Sequence, residues 1–337
     1  MRRSVVVALT LAATAALGAA RLNSQSPGAQ AAATHAPITP AEYERWQTEL
    51  SNWGRWGKDD ELGALNLITP AKRKQAAGLV KDGITVSMAR DLIIEKAIDV
   101  PCPVEWSMTR ATPTLAMDRL SYPCIHGANT THLDSFAHVF FNGKMWNGYE
   151  VKDLVTAEGG AAKNSILTMK NGIVTRAVLY DIPRLKGVPY LEPGTRIFVE
   201  DLEAWEKMAG VKAGPGDALI LRWGRWTRRA QLGPWDVSKG AVGFDLSVIP
   251  WFKKRDIAVL GWETPNYAPK PAGDTIPGDP FHNFVLTMLG VHLLDRCDLD
   301  AVAETAAARR RWEFMLSVAP APLPHGTGSP INPLAMF

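Results

Sequence analysis

Six short apolar runs, each closed off by glycine or proline nearby, constrain this chain more than any other feature. They are ITVSMA (84–89), SILTM (165–169), RAVLYDI (176–182), RIFVE (196–200), DALILRW (217–223) and IAVLGWE (257–263). Runs of this length, rich in branched side chains and bounded by turn formers, read as strands. Helical patterns lie around them: AEYERWQTELSNW (41–53), TPAKRKQAAGLVKDG (69–83), VEDLEAWEKMAG (199–210) and PFHNFVLTMLGVHLL (280–294). In the second of these, Thr69 is the expected N-cap, Pro70 the first helical residue and Gly83 the terminator. No repeat or internal linker separates the runs, so the expectation is one α/β or α+β domain. The 337 residues exceed the usual span of about 100–200 per domain, but one large domain accommodates them. Hydrophobic residues at 46% and charged residues at 21% supply a sizeable core and exclude global disorder.

The first twenty residues, MRRSVVVALTLAATAALGAA, have the shape of an export signal. Arg2 and Arg3 form a positive start, Val5 to Leu17 an apolar stretch, and Gly18 and Ala20 the small residues before a cut near Arg21. The apolar run is short for a membrane span, so a retained anchor is the second reading. Residues 21–40 read as an unstructured leader, which leaves 41–337 as the working domain. The expected location is periplasmic or secreted, with no stable membrane anchor after cleavage. Lys plus Arg is 37 against 34 for Asp plus Glu, a net +3 too balanced for a nucleic-acid binder. Cys102, Cys124 and Cys297 are too few for a disulfide scaffold and lack the spacing of a zinc knuckle. Cys124 lies just before a histidine, yet a structural cysteine is the commoner case than a thiol nucleophile.

Of only seven histidines, three crowd into one short segment with an aspartate: His126-Gly-Ala-Asn-Thr-Thr-His132-Leu-Asp134-Ser-Phe-Ala-His138. In an extended stretch residues i and i+2 point the same way, so His132 and Asp134 converge. Imidazole with carboxylate suits a borderline divalent ion such as Zn²⁺ or Mn²⁺. His138 can reach the same cavity without being a ligand and move protons there. A second segment, from Pro280 through His282 and His292 to Asp295, can bring further ligands from a helix and the strand after it. His292 and His325 read more simply as structural. Glu263 ends a strand, and its plainer reading is a loop carboxylate beside Pro265. Lys72–Lys74, Arg228-Arg229 and Arg309–Arg311 read as solvated charge or terminal caps. The 12 tryptophans suggest packing or an aromatic-walled pocket, with Trp146, closest in sequence to the histidines, as first candidate.

Here the sequence resembles a known family. THLDSFAH (131–138) is similar to the second half of the HxGTHxDxPxH signature of the cyclase family of metal-dependent hydrolases, which includes bacterial kynurenine formamidase and isatin hydrolase. WGKDDELGALNLITP (56–70), HVFFNGKMWNG (138–148), GDALILRWG (216–224), FHNFVLTMLGVHLLD (281–295) and GTGSPINPLAMF (326–337) resemble further blocks in the right order. The resemblance implies a swivelling β/β/α fold and hydrolysis of amides in aryl or cyclic small molecules. It implies His132 and Asp134 as metal ligands, His138 as the proton donor and acceptor, and His282 as a downstream ligand where a second metal binds. Two positions depart from the pattern. Ala128 stands where the signature has its first ligand, with His126 as the nearest replacement, and Asp295 stands at the downstream glutamate.

The expected chemistry is attack of water on an amide carbonyl at one or two divalent ions, zinc or manganese, with a small-molecule substrate. An exported binding protein for an aromatic ligand is the rival from another class. Ring formation or dehydration in the same pocket is the enzymatic rival. A serine nucleophile at Ser329 fits poorly, because Pro330 removes the N–H an elbow uses. Homo-oligomers are common in the family, and the sequence supports no particular state.

Overall fold

The computed structural model describes residues 35–127, 130–264, 275–276 and 278–337. The expected signal, most of the leader and Ala128 therefore lie outside the described residues. Residues 37–337 form one compact unit. None of the described helices is long and apolar enough to cross a membrane.

Four of the six apolar runs meet in a nine-stranded mixed sheet, while Arg196–Ile197 of RIFVE pairs with Gly243–Phe244 outside it. Its order is Thr85–Ser87, Leu334–Met336, Glu313–Val318, Ile173–Asp181, Ala218–Arg222, Val259–Trp262, His292–Asp295, His132–Asp134 and Gly328–Pro330. The four strands from Ile173–Asp181 to His292–Asp295 run parallel, and both flanks are antiparallel. Parallel neighbours need crossovers, which here carry the helices Val199–Ala209, Arg225–Leu232, Ile249–Arg255 and Pro280–Thr287. Ala218–Arg222 and Val259–Trp262 are buried at every position, as expected of strands covered on both faces. This is the α/β class expected.

Several local expectations change. Thr69 does cap a helix, accepting from the Lys72 amide at 3.2 Å, but that helix ends at Ala77 with Gly78 rather than Gly83. SILTM forms no strand but the 3₁₀ turn Ile166–Met169, which buries Ile166 and Met169 in the core. The PFHNFVLTMLGVHLL pattern divides into the helix Pro280–Thr287 and the strand His292–Asp295, broken at Gly290 with φ +65°. The C-terminal block GTGSPINPLAMF supplies two strands, Gly328–Pro330 and Leu334–Met336. Lys72 is paired with fully buried Asp217, and Arg229 grips buried Asp99 at 2.7 and 3.1 Å, so neither is merely solvated. Cys102 and Cys124 form a disulfide, which removes Cys124 from any nucleophilic role.

Candidate metal centre

The carboxyl end of the parallel strands is where open α/β sheets build sites, and the candidate centre lies there. Asp295 ends one parallel strand and pairs with His132 of its antiparallel neighbour; Asp134, on that same neighbour, pairs with Gly328. Cross-strand partners share a face, so His132, Asp134 and Asp295 project together while Leu133 packs on the other side. Gly328 is required here. A Cβ on it would come within 2.5 Å of the His126 ring, which lies against that backbone.

Asp134 is the hub. Its Oδ1 lies 2.8 Å from His126 Nδ1 and 3.5 Å from His132 Nε2, and its Oδ2 lies 3.3 Å from His282 Nε2. His132 Nδ1 sits 2.7 Å from the Thr130 carbonyl, which places its proton there and leaves the Nε2 lone pair facing the carboxylates. His282 rides on the helix Pro280–Thr287, whose cap Asp279 accepts from the His282 amide at 3.1 Å. Its Nε2 is also 3.5 Å from Asp295 Oδ2. Asp295 Oδ1 accepts the indole N–H of Trp262, which fixes the carboxylate plane. His126 Nε2 is 3.1 Å from Thr327 Oγ1, and its ring stacks on His138 at 3.5 Å and 6°.

The electrostatics follow from two buried carboxylates among imidazoles. Burial alone would raise Asp134, but hydrogen bonds and charge from His126, His138 and His282 hold it well below the usual carboxylate range. Burial opposes a charge on His282, yet the close Asp134 and Asp295 carboxylates push it well above an ordinary histidine. His132 is lowered by burial against the pull of Asp134. Burial outweighs Asp134 at His138 too and lowers it to about 4, so His138 is a neutral base at pH 7.

Two overlapping groups can each hold an ion, His126–Asp134–His138 and His132–Asp134–Asp295, with ligand atoms within 4.8 Å of one another. Buried Asp134 Oδ2 makes no hydrogen bond of good geometry, only the approach from His282, so an acceptor stands ready for a cation. The donors are nitrogen and oxygen only, since Cys297 is buried elsewhere and the other two cysteines are bonded. That set fits zinc or manganese. Beside it opens a cleft of about 640 Å³, walled by His126, Gly127, Arg296, Val237 and the Cys102–Cys124 bridge.

All five residues expected as ligands, and His138, are thus brought together. Trp146 is not. It is fully buried, donates its N–H to Asp60 at 3.2 Å and packs on Phe136, so packing and not substrate contact explains it. Trp223 and Trp226 are likewise core; Trp262 alone reaches the centre, through Asp295. His292 stacks on Phe136 at 3.9 Å and is structural, and exposed His325 merely approaches the Ala161 carbonyl. Three contributors escaped the sequence reading: Thr327, Gly328 and the Thr130 carbonyl. The Gly-rich tail signals only the loop that carries Thr327; what Gly328 and Thr130 contribute is backbone, which no side chain announces. Glu263 lies in the bend just past the strand Val259–Trp262, as a loop carboxylate would, but it is not solvated. It is fully buried, and its Oε2 takes the amides of Trp223, Gly224 and Arg225 at 2.7, 2.7 and 3.2 Å.

Residues 80–269, more than half the chain, match the Cyclase family model, and the chain belongs to that family. Among solved structures it is similar to one described as a novel cyclase, with 28% identity and a TM-score of 0.75 over 86% of this chain and 99% of that one. Isatin hydrolase A from Ralstonia solanacearum shares the fold at 20% identity and TM-score 0.53, covering 78% and 95% of the two chains. An isatin hydrolase bound to the product analogue thioisatinate does so at 19% and 0.52, covering 78% and 95%. None of the curated proteins matches the chain by sequence.

Proposed function

We propose that this chain is an exported metal-dependent hydrolase that opens amide bonds in aryl-formamide or cyclic-amide small molecules. The observation that carries the reading is the buried Asp134 shared by both candidate groups, with His138 stacked on His126 beside it. His132, Asp134, His282 and Asp295, with His126 from the adjoining loop, would hold one or two divalent ions. Such an ion supplies Lewis acidity and makes water nucleophilic near neutral pH. His138 accepts the proton that water loses as its oxygen bonds to the amide carbon. It returns that proton to the nitrogen as the C–N bond breaks, giving a carboxylate and an amine. Stacking against His126 keeps the His138 ring in one plane for both transfers. The cleft beside His126 is of a size for a bicyclic or monoaryl substrate. The isatin hydrolases of the same fold act on a cyclic amide by their description, which favours that class.

Export is part of the proposal. The signal-like start supports it, and so does the Cys102–Cys124 disulfide, since such bonds persist in oxidising compartments.

The deciding experiment combines elemental analysis of the purified protein with product mass after incubation with isatin and with an N-formyl aryl amide. Gain of one water, abolished by a chelator and restored by zinc or manganese, supports the proposal. Metal-free protein that retains an aromatic ligand unchanged points to the binding-protein reading instead. A product of unchanged or reduced mass points to ring formation or dehydration.

A further inference from the structure

The cleft beside the candidate centre is walled by a histidine, a tyrosine, a serine, small or apolar residues, a disulfide and one arginine. Among the described residues that line it, Arg296 alone carries a permanent charge. The strand before it does not by itself put it there. Asp295 ends that strand and projects into the centre, so strict alternation would send the next residue to the far face with Leu294. Arg296 instead has φ +61°, the left-handed region that a side chain adopts only where its surroundings hold it. That turn breaks the alternation and sets Arg296 on the same wall as His126. Thr131 Oγ1 donates to the Arg296 carbonyl at 2.8 Å, which ties the turn to the residue before His132. Arg296 is only 3% exposed, so it is held in the wall and does not swing in solvent.

A second guanidinium stands near it. Buried Arg225 donates from Nη1 to the Glu263 carbonyl at 3.1 Å and lies 3.9 Å from Asp99 Oδ2. Burial, and then the like charge of Arg296, hold Arg225 well below the usual arginine range, against the pull of Asp99 and Glu263. Asp99 is itself gripped by Arg229. Two guanidiniums near enough to repel make this end of the cleft electropositive, and an anion arriving there offsets the repulsion. The guanidinium fork matches the two oxygens of a carboxylate. One fixed cation among largely apolar walls suits one carboxylate on an aryl frame, whereas a phosphate dianion would call for more donors. We propose that Arg296 is a specificity determinant that selects amides bearing a carboxylate on the part of the molecule away from the scissile bond, a role that rests on the hydrolase reading of this cleft. Asp295 and Arg296 are consecutive, so one small molecule spans from the candidate centre to the guanidinium.

Two measurements test it, one with turnover and one without. In the first, hydrolysis of formanilide is compared with that of ortho-, meta- and para-formamidobenzoate by wild type, Arg296→Gln and Arg296→Lys. At least one carboxylate should exceed formanilide by at least roughly tenfold in kcat/KM, mainly through KM. That advantage should vanish in Arg296→Gln and survive in part in Arg296→Lys. In the second, calorimetry compares binding of a naphthoate and the matching naphthamide. The naphthoate should bind at least roughly tenfold tighter to wild type, before and after chelation of metal, and no tighter to Arg296→Gln. If no amide is hydrolysed while this binding difference holds, the hydrolase reading falls and the anion preference of the cleft stands. A wild type that favours no carboxylate in either measurement overturns the proposal whether or not the glutamine variant folds. An advantage untouched in Arg296→Gln, or one lost on chelation and so owed to the ion, overturns it as well.

Discussion

Replacing Glu263 probes the part of this structure that no sequence motif announces. Its Oε2 serves three amides at the start of the helix Arg225–Leu232, all of them buried. Glu263→Ala leaves those amides with neither a partner nor water. One unpaired buried donor costs about 1–3 kcal/mol, and since the three share one oxygen the total falls short of threefold. With the cavity added, the loss should be about 3–4 kcal/mol. At about 2–4 °C per kcal/mol, melting should fall by roughly 6–15 °C. Glu263→Gln keeps an acceptor oxygen and should lose less than about 1.5 kcal/mol. Acidity separates the two effects. Burial raises Glu263 from an ordinary 4.5 to about 8, against the pull of Arg222. Between those values the folded chain keeps a proton that the unfolded chain has lost. Its contribution is therefore most favourable below the unfolded value and declines as pH rises through the window, by at most about 1.4 kcal/mol per unit. Melting curves of the three proteins from about pH 5 to about pH 8 read both effects, and the wild-type decline should be shallower in Glu263→Gln. An alanine variant melting within about 2 °C of wild type, or a glutamine variant with the same pH slope, would refute the reasoning.

Three further outcomes are expected. His138→Ala should retain at least the ion held by His132, Asp134 and Asp295, read by elemental analysis, while turnover falls by about 10²–10⁴-fold. Asp134→Asn should weaken metal binding by at least roughly a hundredfold in a competition titration, because both candidate groups share this residue. Gly290→Ala should cost about 2–4 kcal/mol in chemical denaturation, since φ is +65° and its Cβ would meet the Trp146 ring at 2.5 Å.

The legible parts of the fold were those with local causes. Continuous apolar runs and turn residues located the parallel strands around Leu219 and Leu260, and Thr69 with Pro70 located a helix start. The short strands His132–Asp134, Gly328–Pro330 and Leu334–Met336 have too few residues for a period to show, and their pairing is long-range. The hairpin Glu105–Thr112 with Leu115–Ser121 carries alternation without burial, so its pattern has no core to answer to. At the centre, residue chemistry pointed to the ligands because histidine is scarce and clustered. The Thr130 carbonyl and Gly328 were invisible because what they contribute is backbone. Trp146 misled because nearness in sequence stood in for nearness in space, whereas the indole lies behind Phe136 in the core.

The register around Asp134 also bears on how the chain reaches its native state. His126 meets Thr327 across 201 positions and His292 reaches the Asp134 carbonyl across 158. No pair of neighbouring elements can assemble the centre ahead of the whole, and contacts between such distant segments form slowly because the intervening loop must first be closed. Ion uptake should therefore trail the recovery of secondary structure during refolding, which makes the cation a clock for the last step rather than a seed for the first.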